Sequence, residues 1–590
     1  MKILKYFPPV ALWISVTIWL FANTAAAATL TLAPTAISNT ACGTLTLQIG
    51  GLTNGETVII DHFVDLNTNG IIDTNDWLMG HYVLTDGQQS IIGGITNLNV
   101  PGDLTPTNGA ITANLELFAP HPQWPVGSHL LRLTSPSGRF AAITNTFAIT
   151  NWPYTQSVTG VVKCGSTNVP YAYVALLPSG EFGNATVANA SGQYSFSALP
   201  GTYRLLAVKN GYVLPQISNI SLATNSILTT NLILTGTSTT LGGRFADAAH
   251  TNLGLPGIFI VLQSQGGYSA IGNTDTNGSF TIPVIPDIWK FSIEDNSGLA
   301  YLGYPHYSGE NNPAYDTTTG SVNSVLLTFP KGTGLFYGNI KNSSNVPLPG
   351  VQFGASDQYS NLLGSSGWSN PNGNYCSIAT TNDWANYVDD GSPIFQSYVV
   401  SSGGNSFFSA HQAVQVNFLA VPPTGVITGN VSSVSGVPVA HLTISGNTSY
   451  EGDNFQSEAV TDGNGNYSFA DFNSGWDVSP NCNANATDGL PYLGYNCTSD
   501  QFTDITSSLT VINFTVYPLG TAVLGAPGWI DQGQFGFTLN GADGDTYYVQ
   551  VSTNLTDWST ITNFTLSGNS IYIEDDSATN SSRFYRAIKQ

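Results

Sequence analysis

Val158-Thr159-Gly160-Val161-Val162 opens a pattern that runs to Tyr212 and then returns three times along the chain. Behind it come Val169-Pro170-Tyr171-Ala172-Tyr173-Val174, Ser191-Gly192-Gln193-Tyr194-Ser195-Phe196 and Gly201-Thr202-Tyr203-Arg204-Leu205. Each piece alternates apolar and polar residues over a few positions between Gly, Pro, Asn or Ser, as short half-buried strands do. The order recurs as Gly243, Pro256 and Asn277-Gly278-Ser279-Phe280, as Gly338, Pro349 and Asn372-Gly373-Asn374-Tyr375, and as Gly429, Pro438 and Asn464-Gly465-Asn466-Tyr467. Opening Gly and turn Gly stand 32, 35, 35 and 36 residues apart, a period that indicates one duplicated β-module.

The chemistry of a copy is that of a fold. Asn-Gly or Ser-Gly supplies the positive φ of a tight turn, and the aromatic behind it opens the next strand. Tyr194/Phe196, Phe280/Ile282 and Tyr467/Phe469 are two apart, so each pair points to one face of its strand and can enter a sandwich core. Pro before the second strand suits a strand start or an edge. With Gly-Val-Val, Pro-x-Ala-x-Val, Gly-x-Tyr-x-Phe, Pro200-Gly201-x-Tyr203 and Gly211-Tyr212, the module resembles the carboxypeptidase regulatory-like domain. The resemblance implies a transthyretin-like, carbohydrate-binding-like sandwich with an accessory or surface role and no catalytic residues of its own. It is best over 157–236 and good over 425–472; copy 2 departs in its third segment, and copy 3 lacks the second aromatic after Tyr375.

At 590 residues, several domains are expected. Charged residues make up 8%, and 36 acidic against 14 basic residues give a net charge of −22. Without a Lys/Arg cluster, nucleic acid and anionic membrane surfaces are disfavoured partners. Residues 1–28 read as an export signal: Lys2 and Lys5, an apolar stretch from Val10 to Ala22, then Ala25 to Ala28 as small-residue cleavage sites. No later stretch is expected to span a membrane. Residues 29–150 are expected to form an Ig-like sandwich, followed by copies 1 to 4 at 151–236, 237–330, 331–421 and 422–518. Copies 2 and 4 share an insertion, Leu299-Ala300-Tyr301-Leu302-Gly303-Tyr304 and Leu490-Pro491-Tyr492-Leu493-Gly494-Tyr495. Residues 519–590, with Tyr548-Val549-Gln550-Val551-Ser552-Thr553-Asn554-Leu555-Thr556-Asp557-Trp558 and Arg583-Phe584-Tyr585-Arg586-Ala587, resemble the C-terminal fibronectin- or Ig-like module of large exported bacterial proteins. The fold class is all-β, a tandem of sandwich modules.

Asp65 to Asp76 carries the clearest ligand pattern. A calcium loop takes oxygen ligands at positions 1, 3, 5, 7, 9 and 12 with Gly at 6; here these are Asp65, Asn67, Asn69, the Ile71 carbonyl, Asp73 and Asp76, with Gly70 in place. The loop resembles the dockerin-type loop, without its flanking helices or second loop, and calcium is the expected cofactor; an Asn/Asp-rich turn is the alternative. Asp462-Gly463-Asn464-Gly465-Asn466 coincides with the repeat turn and is expected to be structural. Cys482 and Cys497 share one insertion and are expected to pair, worth about 3 kcal/mol in the chain-entropy model; Cys42, Cys164 and Cys376 are not assigned partners.

The eight histidines show no zinc spacing, and neither a nucleophile elbow nor a phosphate loop occurs. Adjacent carboxylates such as Asp389/Asp390 do not have the opposed placement glycoside hydrolysis needs. Trp368, Trp384, Tyr387, Trp476, Tyr492 and Tyr495 are expected in insertions, where they could stack on sugar rings or form minicores under loops. The function expected is adhesion or carbohydrate binding, to a polysaccharide or a cell-surface glycan, by an exported, non-catalytic chain at the cell surface or outside. A polysaccharide- or peptide-cleaving enzyme and a structural spacer are the alternatives.

Overall fold

The computed structural model describes residues 27–589, apart from 106, 119–122, 179–182, 215–217, 293–297, 308–312, 390–391, 485, 520, 532–533, 542–543, 569 and 579–581. The expected export signal therefore lies, up to residue 26, outside the described residues. The chain is all-β, a tandem of sandwiches as expected, and Leu299–Leu302 is the one α-helix among the described residues. No helix among them is long and apolar enough to cross a membrane.

The first sandwich packs the sheet of Thr29–Ala33, Cys42–Gly50 and Ile111–Phe118 on a second sheet. That sheet holds Ala36–Ser38, Ile143–Thr150, Gly127–Thr134, Thr57–Val64 and Trp77–Thr85. Leu45, Leu47 and Ile49 alternate with polar neighbours and meet Val58, Ile60, Leu131, Leu133 and Phe147 in the core. The period of two puts one side of each strand inside.

The four copies share one topology. Their first strands, Ser157–Cys164, Thr240–Asp247, Gly334–Asn342 and Gly425–Ser433, each pair antiparallel with the strand behind the turn. On the other side each pairs parallel with the last strand or strands of its copy. The opposing sheet is a four-strand path in copies 1, 2 and 4, for example Asn184–Val187, Tyr173–Pro178, Gly201–Val208 and Ser218–Leu222 in copy 1; in copy 3, His306–Tyr307 of copy 2 adds a fifth strand.

The quoted residues explain the shared shape. In all four copies the opening Gly lies opposite the turn aromatic, Gly160 to Tyr194, Gly243 to Phe280, Gly338 to Tyr375 and Gly429 to Tyr467. A Cβ there would stand only 1.7 to 2.1 Å from a backbone carbonyl, that of Val325 in the last strand of copy 2 or of Thr230, Val416 or Ile512 in the break between the last two strands of copies 1, 3 and 4. Any side chain would push the strands apart. In copies 1, 3 and 4 the tyrosine hydroxyl donates to that same carbonyl at 2.6, 2.8 and 2.8 Å. The next residue, Asn231, Asn417 or Asn513, accepts with its side chain the N–H that the break in the parallel pairing leaves over. In these three copies the hydroxyl and the leftover backbone N–H at the crossing thus each find a partner. The aromatics are buried, at 4%, 4%, 0% and 3% exposure.

The turns are built alike. Asn189, Asp275, Asn370 and Asp462 each accept two backbone N–H groups on Oδ1, and the Gly behind them takes φ of 73 to 76°. Asp462 therefore serves the turn, as expected.

The modules are not a string with neighbour contacts only. Val64, Leu66 and Met79 of the first sandwich share a core with Tyr173, Leu206 and Val208 of copy 1 and Phe259 and Ile271 of copy 2. Ile92 joins Leu335, Cys376 and Ile378 of copy 3, and the Asn99 amide donates to the Ser366 and Cys376 carbonyls at 3.2 and 2.9 Å. Tyr301, on the short helix of copy 2, enters the core of the first sandwich and donates to the Glu116 carbonyl at 2.9 Å. Three copies thus pack on one module. The C-terminal unit has its own small core of Phe537, Leu539, Tyr547, Val549 and Ile573.

Candidate functional site: the cleft between copies 3 and 4

The strand Asp383–Val388 alternates strictly, with Trp384, Asn386 and Val388 inward and Tyr387 outward. Across the sheet Tyr387 faces Gly354. A Cβ on Gly354 would lie 2.5 to 2.9 Å from the Tyr387 ring, so only glycine lets the ring lie over that strand. The ring keeps 38% exposure. It forms one wall of a cleft of about 630 Å³, with Phe395 and Tyr398 beside it. The floor is Val399 to Gly403 and the far wall is Gln456, Ser457 and Glu458 of copy 4.

The floor fixes the cleft's width. Val399 is buried in the core of copy 4 and Val400 in that of copy 3. Ser402 N–H donates to the Asn454 carbonyl at 2.6 Å, and Ser401 bridges to Phe455. Glu458 accepts from Ser445 Oγ and Gln456 Nε2, both on Oε1. It is the one carboxylate among the described lining residues, and Lys, Arg and His are absent from that lining.

Of the six aromatics singled out in the sequence, only Tyr387 reaches this cleft. Trp384 and Trp476 are fully buried and Trp368 is 6% exposed, which corrects their placement in ligand-facing insertions. Trp384 and Trp476 belong to the shared strands, nine residues beyond the turn aromatic, as do Tyr203 and Trp289. That constant spacing is the signal that marks them as core. Tyr203, Trp289 and Trp476 also share a bond, donating to the carbonyl four residues back at 2.7, 3.0 and 2.9 Å. Trp368 stacks on Tyr301, ring centroids 6.5 Å apart, where the first sandwich and copies 2 and 3 meet. Tyr492 is 60% exposed and Tyr495 half-buried, on the copy 4 insertion that the Cys482–Cys497 disulfide closes. Phe395, Tyr398 and Glu458 were not marked by the sequence, which gives no local sign that copies 3 and 4 meet there.

The Asp65 loop joins two strands at the junction with copies 1 and 2. Its Gly70 has φ 73°, Ile72 packs on Phe63, Leu78 and Leu130, and Ile71 is exposed. Asp65 accepts the N–H groups of Asn69 and Gly70 at 3.1 and 2.9 Å, and Asp76 those of Leu66 and Asp73 at 3.1 and 2.9 Å. Asn67 and Asn69 turn their amide nitrogens to Asp73 Oδ2, at 2.7 and 3.0 Å. The loop is thus closed on its own donors, and among the described residues no group of three or more His, Cys, Asp or Glu is arranged to hold a metal. Burial, opposed in part by its two N–H bonds, and the Asp73 and Asp65 charges push the Asp76 carboxyl up. Trp77 stacks on Tyr173 of copy 1 at 4.9 Å, and Asn273 of copy 2 donates to the Leu78 carbonyl at 2.5 Å.

Comparison with known proteins adds a partial match. A family described as a protein of unknown function, DUF1416, matches residues 140–218. Among curated proteins no relative matches the sequence. The Bacillus anthracis TIE protein is 14% identical, covering 67% of this chain and 74% of that one, with a TM-score of 0.15. A streptococcal ancillary pilin is 10% identical over 48% and 98%, TM-score 0.16. A DUF3823 family protein from Parabacteroides merdae is 9% identical over 28% and 89%, TM-score 0.14. At such TM-scores none of the three bears on function.

Proposed function

We propose that the chain is an exported, non-catalytic protein of the cell surface or extracellular space that binds polysaccharide in the cleft between copies 3 and 4. The observation that carries this reading is the Tyr387 ring, laid over Gly354 and open to solvent at the cleft wall. An aromatic face backed by strand is a low-entropy platform for the apolar side of a sugar ring. Gln456, Ser457 and Ser402 supply the polar groups that orient a ligand, and the volume falls within the roughly 300–1,000 Å³ of ligand sites. A single carboxylate among the described lining residues, Glu458, favours binding over cleavage, because glycoside hydrolysis commonly uses two. The resemblance of the copies to the carboxypeptidase regulatory-like domain, a carbohydrate-binding-like fold, supports the same reading.

Calcium at the Asp65 loop belongs to this proposal. Support comes from the ligand spacing and from the mutual repulsion of Asp65, Asp73 and Asp76, which a divalent cation would relieve. Asp73 would have to release the Asn67 and Asn69 amides to join it.

The test is titration of the mature chain with a panel of polysaccharides while released sugars are assayed. Tyr387→Ala is expected to weaken binding about tenfold, the loss of one aromatic anchor, with an unchanged melting midpoint. Product release with turnover would replace binding by the enzyme reading. Failure to bind any polymer would favour the spacer.

A further inference from the structure

Resting on the cleft reading above, we infer that the polymer it takes carries free amino groups and is not a polyuronate or a sulfated glycan. The inference comes from charge. Among the described lining residues one side chain is charged at neutral pH, the carboxylate of Glu458, and no cation offsets it. Ser445 and Gln456 both donate to Oε1, so the side chain is held toward the wall while Oε2 has no donor among the described residues. Oε2 is the oxygen left for a cation. Ser445 lies directly across from Glu458 in the hairpin, so the carboxylate stands on strand rather than on a free loop.

The surroundings act in the same direction. The chain carries a net charge of −22 with only 14 basic residues. An anionic polymer would meet repulsion on approach and an unpaired carboxylate on arrival, whereas a protonated amino sugar meets attraction at both stages. Tyr387, Phe395 and Tyr398 on the opposite wall stack on sugar faces whatever their charge, and an ammonium over a tyrosine ring is itself favourable. Stacking therefore sets affinity, and Glu458 sets which polymer is chosen.

The experiment measures binding of the mature chain to three probes: glucosamine oligomers, their N-acetylated forms, and oligogalacturonate of matched length. Glucosamine oligomers are expected to bind about fivefold tighter than the N-acetylated ones, the scale of an exposed ion pair. The preference should shrink as salt rises, and oligogalacturonate should not bind. Glu458→Gln should remove the preference, while Tyr387→Ala should weaken binding of both forms. Equal affinities, tighter oligogalacturonate binding, or a preference that survives Glu458→Gln would overturn the inference and leave the cleft reading intact. Absence of binding to all three probes, or indifference of every affinity to Tyr387→Ala, would overturn both.

Discussion

Gly429 and its three counterparts show how much a single residue can specify. Their role was legible as a period, but the reason for glycine was not: the carbonyl that would meet its Cβ lies some eighty residues later, at Ile512 for Gly429. A second residue in the same strand pair was invisible from sequence. Asp471 ends the strand behind the copy 4 turn, opposite Gly425, fully buried and with no partner for either oxygen among the described residues. Burial pushes its carboxyl up to about 6. An unfolded aspartate titrates near 4, so the folded chain takes the proton first. The group's contribution is therefore complete below about pH 4 and is lost as pH rises through about 6. Asp471→Asn is expected to stabilise copy 4 by about 1–3 kcal/mol at pH 7.5, the cost of an unpaired buried polar group. The gain should be far smaller at pH 4. Hydrogen exchange across 425–516 at the two pH values would decide it, and equal gains would place the burden elsewhere.

Elements are legible in the sequence where their pattern is local. Strand alternation and the turn glycines are encoded within a few residues and the Cys482–Cys497 pairing within one insertion, 15 residues apart, and the structure shows each. The aromatics are less legible, because a strand Trp and a loop Trp look the same without their neighbours. The nine-residue spacing to Trp384 and Trp476 carries the missing information. The Asp65 loop is an element whose local pattern and closed geometry point to different states, and titration separates them. At ten times its dissociation constant calcium should stabilise the first sandwich by about 1.4 kcal/mol. The readout is exchange protection of Thr57–Val64 and Trp77–Thr85 in the mature chain. Asp65→Asn keeps an acceptor for the loop's N–H groups and should abolish the gain. No gain at millimolar calcium would leave the loop as a hydrogen-bonded turn.

At the scale of the molecule, contacts between distant modules were beyond the sequence, because repeats announce their own cores and not their docking partners. The paired insertions give an internal control. Tyr301 and Tyr492 occupy matching places, and the backbone turn is the same: Tyr304 N–H reaches the Leu299 carbonyl and Tyr495 N–H the Leu490 carbonyl, at 3.0 and 2.9 Å. Yet Tyr301 is 5% exposed in the first sandwich's core and Tyr492 is 60% exposed. Tyr301→Ala is expected to cost about 3 kcal/mol or more, with exchange protection lost in Cys42–Gly50 and Ile111–Phe118, whereas Tyr492→Ala should stay within about 0.5 kcal/mol. Protection lost only in copy 2 would refute the shared core.

That plug also sets an order of events at the ribosome. The first sandwich is made before copy 2, and its core lacks Tyr301 until about 150 more residues have been added. At about 5–20 residues per second this is a delay of roughly 8–30 s. During that interval the socket around Tyr82 and Trp124 is open. The first sandwich is thus finished only after a module made later, and whatever guards the nascent chain must guard that socket until copy 2 arrives.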